Sequence, residues 1–235
     1  MWKLYDDLYI GIPSGIRITG CIVGEKWTCV SANGNVGIAR TMGRPEEAEK
    51  FAAAYVGAYL RDTANYMKWD DLAKASVGVA ALNAWYNTPA RAEGLGGDAE
   101  GLGGDAKPSV LPVKTACVGD CYESGDSVFP LPKAPDFDEA AYLKLKDYDT
   151  VVICANALTT RALPGLLRIV GEGGNVILEG YSLPCTALFF AFGLPVRELR
   201  GYSTLSGDKL LSCARNAAAD PAPGVRPFVI RPEKK

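Results

Sequence analysis

The chain has 235 residues, 48% of them hydrophobic and 22% charged, with a formal net charge of −2. That balance suits a globular protein of about two ordinary domains, and it argues against a basic face for nucleic acid or an anionic membrane. Histidine is absent, which rules out Ser-His-Asp and Cys-His triads and histidine-based zinc sites within the chain.

Residues Trp2–Ile10 have amphipathic helical spacing (Trp2, Leu4, Tyr5, Leu8). Ile16–Val23, Lys26–Ser31 and Val36–Thr41 read as three strands of an antiparallel meander. The last two flank Ala32-Asn33-Gly34-Asn35, and Asn-Gly between β-type runs is the strongest short hairpin signal, because both turn residues must reach positive φ. Pro45-Glu46-Glu47 then opens a helix, with Pro in the first turn and acids against the dipole. Its predicted stripe is Phe51, Ala52, Tyr55, Val56, Tyr59 and Leu60. A second helix begins at Asp70-Asp71, runs to Tyr86 and ends at Asn87-Thr88-Pro89. Its many small residues, Ala75, Ser76, Gly78, Ala80, Ala81 and Ala84, permit close packing.

Glu93–Ala99 and Glu100–Ala106 are identical copies of E-G-L-G-G-D-A. They lack the Lys and Ser/Thr of a P-loop and read as a flexible linker. From Lys114 the character becomes α/β. Thr115–Val118 is a short strand and Phe137–Leu145 a helix. Thr150–Thr160 and Asn175–Pro184 are apolar, β-branched runs ending in small polar residues, with a helical pattern from Ala162 to Val170 between them. This is the pattern of a parallel βαβ unit buried on both faces. Cys185–Gly193 reads as a helix, Val196–Leu199 as a last strand and Gly207–Asn216 as a closing helix. In the Pro-rich tail, Phe228-Val229-Ile230 is a candidate edge strand.

The expected organisation is therefore α/β overall. An α+β domain spans 1–90, a Gly-rich linker 91–110, a Rossmann-like parallel sheet 111–219 and a tail 220–235. The start M-W-K-L-Y-D-D-L has acids where a signal peptide has its apolar core, and the apolar run Cys185–Val196 is too short to span a bilayer. A cytoplasmic location without membrane partners is expected. Seven cysteines with no C-x-x-C pair read as reduced, buried thiols.

Taken in order, several blocks resemble a bacterial and archaeal family described as putative heavy-metal chelation proteins. They are M-W-K-L-Y-D-D-L, V-G-E-K-W-T-C-V (Val23–Val30), N-V-G-I-A (Asn35–Ala39), A-A-L-N-A-W-Y-N-T (Ala80–Thr88), Y-D-T-V-V-I (Tyr148–Ile153) and L-E-G-Y-S-L-P (Leu178–Pro184). The resemblance implies an enolase-N-terminal-like domain followed by a Rossmann-like one, a composite site in the cleft between them, and heavy-metal handling. The chain departs from the family at Cys154-Ala155-Asn156, Thr160, Tyr181 and Leu183. The stretch between the linker and Thr150 also looks one βα unit short, with the Gly119–Pro135 loop in its place.

Ligands of open α/β sheets sit beyond the carboxyl ends of the strands. Asn156, Thr159 and Thr160 there precede a helix, as do Gly180, Tyr181 and Ser182, so capping or anion binding by free N–H groups explains both sets. Trp27 and Thr28 offer a stacking wall and a hydroxyl, or a core Trp beside an edge Thr. Asn83 and Asn87, four apart on an apolar helix, face a ligand or bond loop backbone. Asp120, with Glu123 and Asp126 nearby, is a candidate to orient a hydroxyl, coordinate a cation or act as a base. Cys117 and Cys121 beside it make a soft-metal site conceivable.

Three functions fit these residues. The first is binding of a small anionic or metal-bearing ligand in the interdomain cleft, such as a metal chelate or a pterin-like or nucleotide-like molecule, with a divalent metal as candidate cofactor. The second is an enzyme, a lyase or transferase, using Asp120 or Tyr181 as acid or base in the absence of histidine. The third is a non-catalytic carrier or subunit of a metal or cofactor pathway. A homo-oligomer is open under each.

Overall fold

The computed structural model describes residues 2–44, 52–95, 114–121, 125–134, 136–191, 193–216 and 220–232. Helix α1 (Lys3–Ile10) buries Leu4, Tyr5 and Leu8. Strands β1 (Ile18–Val23), β2 (Trp27–Ala32) and β3 (Asn35–Arg40) form an antiparallel meander. Asn33 and Gly34 take φ of 51° and 75°. This two-residue turn pins the register, pairing Ala32 with Asn35 and, at the far end, Trp27 with Arg40.

The apolar spacing up to Leu60 predicts one helix, and the structure corrects this. A 3₁₀ turn at Ala53–Tyr55 gives way to extended backbone at Val56, Gly57 turns at φ 86°, and α2 (Leu60–Ala64) starts afresh. Tyr55 and Leu60 are buried, whereas Val56 and Tyr59 are exposed. The proposed start at Pro45-Glu46-Glu47, with Phe51, lies outside the described residues, as do positions 96–106 of the glycine-rich repeat.

Helix α3 (Leu72–Tyr86) is N-capped by Asp71, whose Oδ1 accepts from the N–H groups of Ala73 (3.0 Å) and Lys74 (3.1 Å). It is buried along almost its whole length, as a helix with little polar surface must be. Its small residues let β3 approach to backbone contact: a Cβ on Gly37 would lie 2.0 Å from the Ala84 nitrogen and 2.1 Å from the Ala80 oxygen. A further short helix, α4 (Pro89–Gly94), follows with Thr88 as its N-cap, where the sequence predicts only a helix end.

The second sheet has six strands: β4 (Thr115–Val118), β5 (Ser127–Phe129), β6 (Thr150–Cys154), β7 (Val176–Glu179), β8 (Val196–Thr204) and β9 (Val225–Ile230). Their order is β5-β4-β6-β7-β8-β9, parallel throughout except for β9. Strands β4, β6 and β7 are buried at every position, which is why they read as continuous apolar runs. Connection 119–126, between the parallel strands β4 and β5, is shorter than a helical crossover requires. Among the described residues no helix stands between these two strands.

Helices α5 (Asn156–Thr159), α6 (Leu163–Val170) and α7 (Gly207–Arg215) complete this part, and Glu139–Asp147 is 3₁₀ rather than α. The helix predicted at Cys185–Gly193 is a single 3₁₀ turn, Ala187–Phe190, capped by Thr186; Pro184 before it and Gly193 and Pro195 after it leave little room. Strand β8 runs beyond Leu199 to Thr204 and is followed by β9, so residues 225–230 belong to the sheet.

One apolar core runs through both sheets, from Leu8, Leu82 and Tyr86 to Leu158, Leu163 and Leu183. Tyr5 donates across it to the Leu158 carbonyl (3.1 Å). The meander is covered on one face by α3 and on the other by α7, whose Leu210, Cys213 and Ala214 pack on Trp27, Cys29, Val36 and Ile38.

Candidate functional site

Counted from β4, the strand order of the second sheet is 2-1-3-4-5-6. The chain passes to one side of β4 to make β5 and returns on the other to make β6, so the loops leaving β4 and β6 diverge. Such a switch point is where open α/β sheets form a crevice. A cleft of about 340 Å³ lies there, lined by Trp27, Arg40, Asp120, Cys121, Cys154, Asn156, Gly180, Tyr181, Ser182 and Asp220. Its floor comes from loops after β4, β6 and β7. Its wall is the end of the meander, where Trp27 and Arg40 are cross-strand partners.

Strand alternation decides between neighbours here. Trp27 shares a face with Cys29, Ile38 and Arg40, towards α7 and the cleft. Thr28 points the other way, fully buried, with its hydroxyl 2.9 Å from that of Thr41. The two cannot both face a ligand, and Thr28 is corrected to a packing residue. Trp27 is itself only 5% exposed. The edge of Tyr181 meets it at 5.1 Å and the Arg40 guanidinium lies over its ring at 5.3 Å, so it holds other cleft residues rather than offering a free stacking face.

Asn83 and Asn87 also lie off the cleft. The Asn83 amide donates to the carbonyls of Ile38 (2.7 Å) and Tyr181 (3.2 Å). Asn87 donates to the carbonyls of Leu183 (2.9 Å) and Tyr202 (3.0 Å) and accepts from the Cys185 N–H (2.8 Å). Both fasten the loop after β7 to α3, the backbone-bonding alternative. Thr159 and Thr160 do not precede a helix as capping residues. Thr159 closes α5, and the Thr160 N–H donates back to the Asn156 carbonyl (3.0 Å). Both hydroxyls are buried with no hydrogen-bond partner among the described residues. Among the described residues the cleft therefore has one short helix N-terminus rather than the expected pair: α5, which begins at Asn156, is a single turn, and a 3₁₀ turn follows the β7 loop.

Asp120, Asn156, Gly180, Tyr181 and Ser182 do line the cleft. Ser182 Oγ donates to Asn156 Oδ1 (2.8 Å) and accepts from the Arg40 N–H (3.0 Å), tying floor to wall. Tyr181 donates to Asp220 (2.9 Å) and stacks on Tyr202 at 4.1 Å. Asp126 instead accepts from the Thr115 N–H (2.8 Å) and fixes its own loop, while Glu123 lies outside the described residues. Cys117 is buried beneath the cleft and accepts from the Gly125 N–H at 3.2 Å. Cys121 donates weakly to the Val118 and Val152 carbonyls at 3.6 and 3.7 Å. Burial pushes the Cys154 thiol up to about 11; backbone N–H groups of Asn156 and Asp120 oppose the shift, and the charges of Asp120 and Glu179 add to it. Burial raises Cys121 as well.

Arg40, Cys154 and Asp220 were missing from the sequence candidates. Arg40 was within reach: once Asn33-Gly34 is a two-residue turn, counting outwards places it opposite Trp27. Asp220 carries no local signal, because its contact with the cleft is to Tyr181, 39 positions away.

Two family models, both described as putative heavy-metal chelation, match residues 5–86 and 123–219. The chain belongs to this family. A member of unknown function from Desulfitobacterium hafniense DCB-2 has a solved structure that is 22% identical, covers 99% of each chain and superposes with a TM-score of 0.81. A second, from Pyrococcus horikoshii and also of unknown function, is 14% identical over 97% of this chain and 98% of its own, with a TM-score of 0.71. At these identities the likeness extends to the fold. No curated protein matches the chain. No helix among the described residues is long and apolar enough to cross a membrane.

Proposed function

We propose that the cleft at the β4/β6 switch point binds a small metal-bearing ligand, and that the protein handles heavy metal in chelated form. The observation that carries this is one cleft lined by two thiols, Cys121 and Cys154, and two carboxylates, Asp120 and Asp220. Thiolates favour soft ions, and carboxylates complement harder ones. Among the described residues no three such donors converge as a ready-made cage. A cargo that brings its own donors, supplemented by one or two from the protein, suits this arrangement better than a bare ion.

The test is metal uptake by the purified protein. After incubation with cadmium citrate and desalting, elemental analysis should find metal in the wild type and much less in a Cys121→Ser/Cys154→Ser double variant. Equal retention, or none in either, would overturn the reading.

A second reading rests on Tyr181 donating to Asp220 beside Asp120. Such a pair can move protons without histidine, as a lyase or transferase needs. Under this reading Asp120→Asn abolishes turnover while ligand-induced stabilisation persists.

A further inference from the structure

Arg40 is the only basic side chain among the cleft's described lining residues. The other part-buried arginines lie outside this cleft: Arg61 bonds the Ile12 carbonyl, Arg161 pairs with Asp70 at 2.5 Å, Arg200 with Glu198 and Arg226 with Glu93, and Arg91 lies over the Trp85 ring at 3.9 Å. The Arg40 guanidinium makes no ion pair or hydrogen bond with any described residue; its contact is the Trp27 ring beneath it. Asp120 and Asp220 share its cleft without pairing to it.

A guanidinium carries five donors in a planar fork that matches two oxygens of one anion. Held over an indole, it is already positioned, so an arriving oxyanion gains charge-assisted hydrogen bonds with little ordering cost. Carboxylates such as those of Asp120 and Asp220 only accept hydrogen bonds and repel an anion. Whatever lies near them must present hydroxyl, ammonium or metal. The cleft's volume of about 340 Å³ suits a small molecule.

We infer that the ligand is an organic oxyanion, a carboxylate or phosphate, whose charged end docks on Arg40. Its donor-bearing or metal-bearing end faces Asp120 and Asp220. This rests on the cleft being the binding site and names the chemistry of its occupant.

The test is calorimetric titration of full-length protein with citrate, glycerol 3-phosphate, cadmium ion and cadmium citrate. Wild type, Arg40→Met and Arg40→Lys are compared, with unliganded melting and tryptophan fluorescence confirming that each variant folds. At least one oxyanion is expected to bind the wild type and to lose at least about tenfold in affinity in R40M, the loss of a charged hydrogen bond. R40K, which keeps charge but not the fork, should fall between. The two metal-free oxyanions identify which group the cleft reads. Equal binding of the oxyanions by wild type and R40M would overturn the inference. Cadmium binding without any oxyanion effect would overturn it too, yet leave the metal-handling reading standing. Failure of all four probes would sink both.

Discussion

Asn87 and Asn156 carry the same amide, and the fold uses them in opposite ways. Asn87 ends a helix buried against the meander, and its side chain makes three hydrogen bonds to backbone. Asn156 follows β6 at the open end of the second sheet. Its oxygen accepts from Ser182, while its amide N–H groups have no partner among the described residues and border the cleft. A polar group inside packed structure must find its partners within the protein or carry an uncompensated desolvation cost. One at the carboxyl edge of a sheet can leave capacity for a ligand. Residue type alone did not separate them.

The largest effect that would sharpen this contrast is on Asn87. Asn87→Ala strands two carbonyls and one N–H in the interior, and denaturant unfolding should show a loss of about 4 kcal/mol. A loss below about 1 kcal/mol would mean that Asn87 is no staple. Next comes the seat of α3: Gly37→Ala forces a Cβ into the backbone of Ala80 and Ala84, and should cost about 3 kcal/mol.

A pH effect follows. Cys154 is raised from 9.0 to about 11 in the folded protein, with burial the leading cause. A raised pKa stabilises the fold fully below the unfolded value, and that contribution fades as pH climbs through the folded one. Stability should hold up to about pH 9 and then fall, Cys154 accounting for about 2 kcal/mol by pH 11. Cys185, raised to about 12 mainly by burial, acts in the same direction. In Cys154→Ala the alkaline fall should be shallower, and an unchanged slope would remove Cys154 from the account.

On the cleft side the effects on stability are smaller. Asn156→Ala should cost about 1 kcal/mol, for one lost hydrogen bond, yet weaken the binding of any oxyanion or chelate that the wild type retains. A variant that binds as before would break the comparison at its centre. Tyr181→Phe keeps the stack on Tyr202 and the edge on Trp27. Losing only the exposed hydrogen bond to Asp220, it should stay within about 0.5 kcal/mol of the wild type in thermal melts.

Much of the fold was legible because its signals are local. Asn33-Gly34 announces a hairpin, Asp71 caps α3, and the buried runs of β6 and β7 contain almost no polar residues. Readings failed where a few residues outweighed periodicity. Gly57 split an expected helix, proline and glycine reduced Cys185–Gly193 to a turn, and Thr88 started an unforeseen one. In the site, the loops at the ends of β6 and β7 were found from strand pattern alone. The partners of Asn83, Asn87 and Thr28 were not, because hydrogen bonds between positions 83 and 181, or 87 and 202, leave no trace in spacing.

By itself the sequence determined most of the strands and long helices, the absence of histidine chemistry and the end of the sheet where a cleft would open. Local dihedral preference and apolar patterning act within a few residues, so they can be read in order. Which polar groups remain available was decided only by tertiary structure. Strand alternation turned Thr28 inwards, α3 pinned the β7 loop, and the hairpin set Arg40 over Trp27 at the mouth of the cleft. Hydrogen-bonding capacity is finite, and only the assembled fold shows what has already been used.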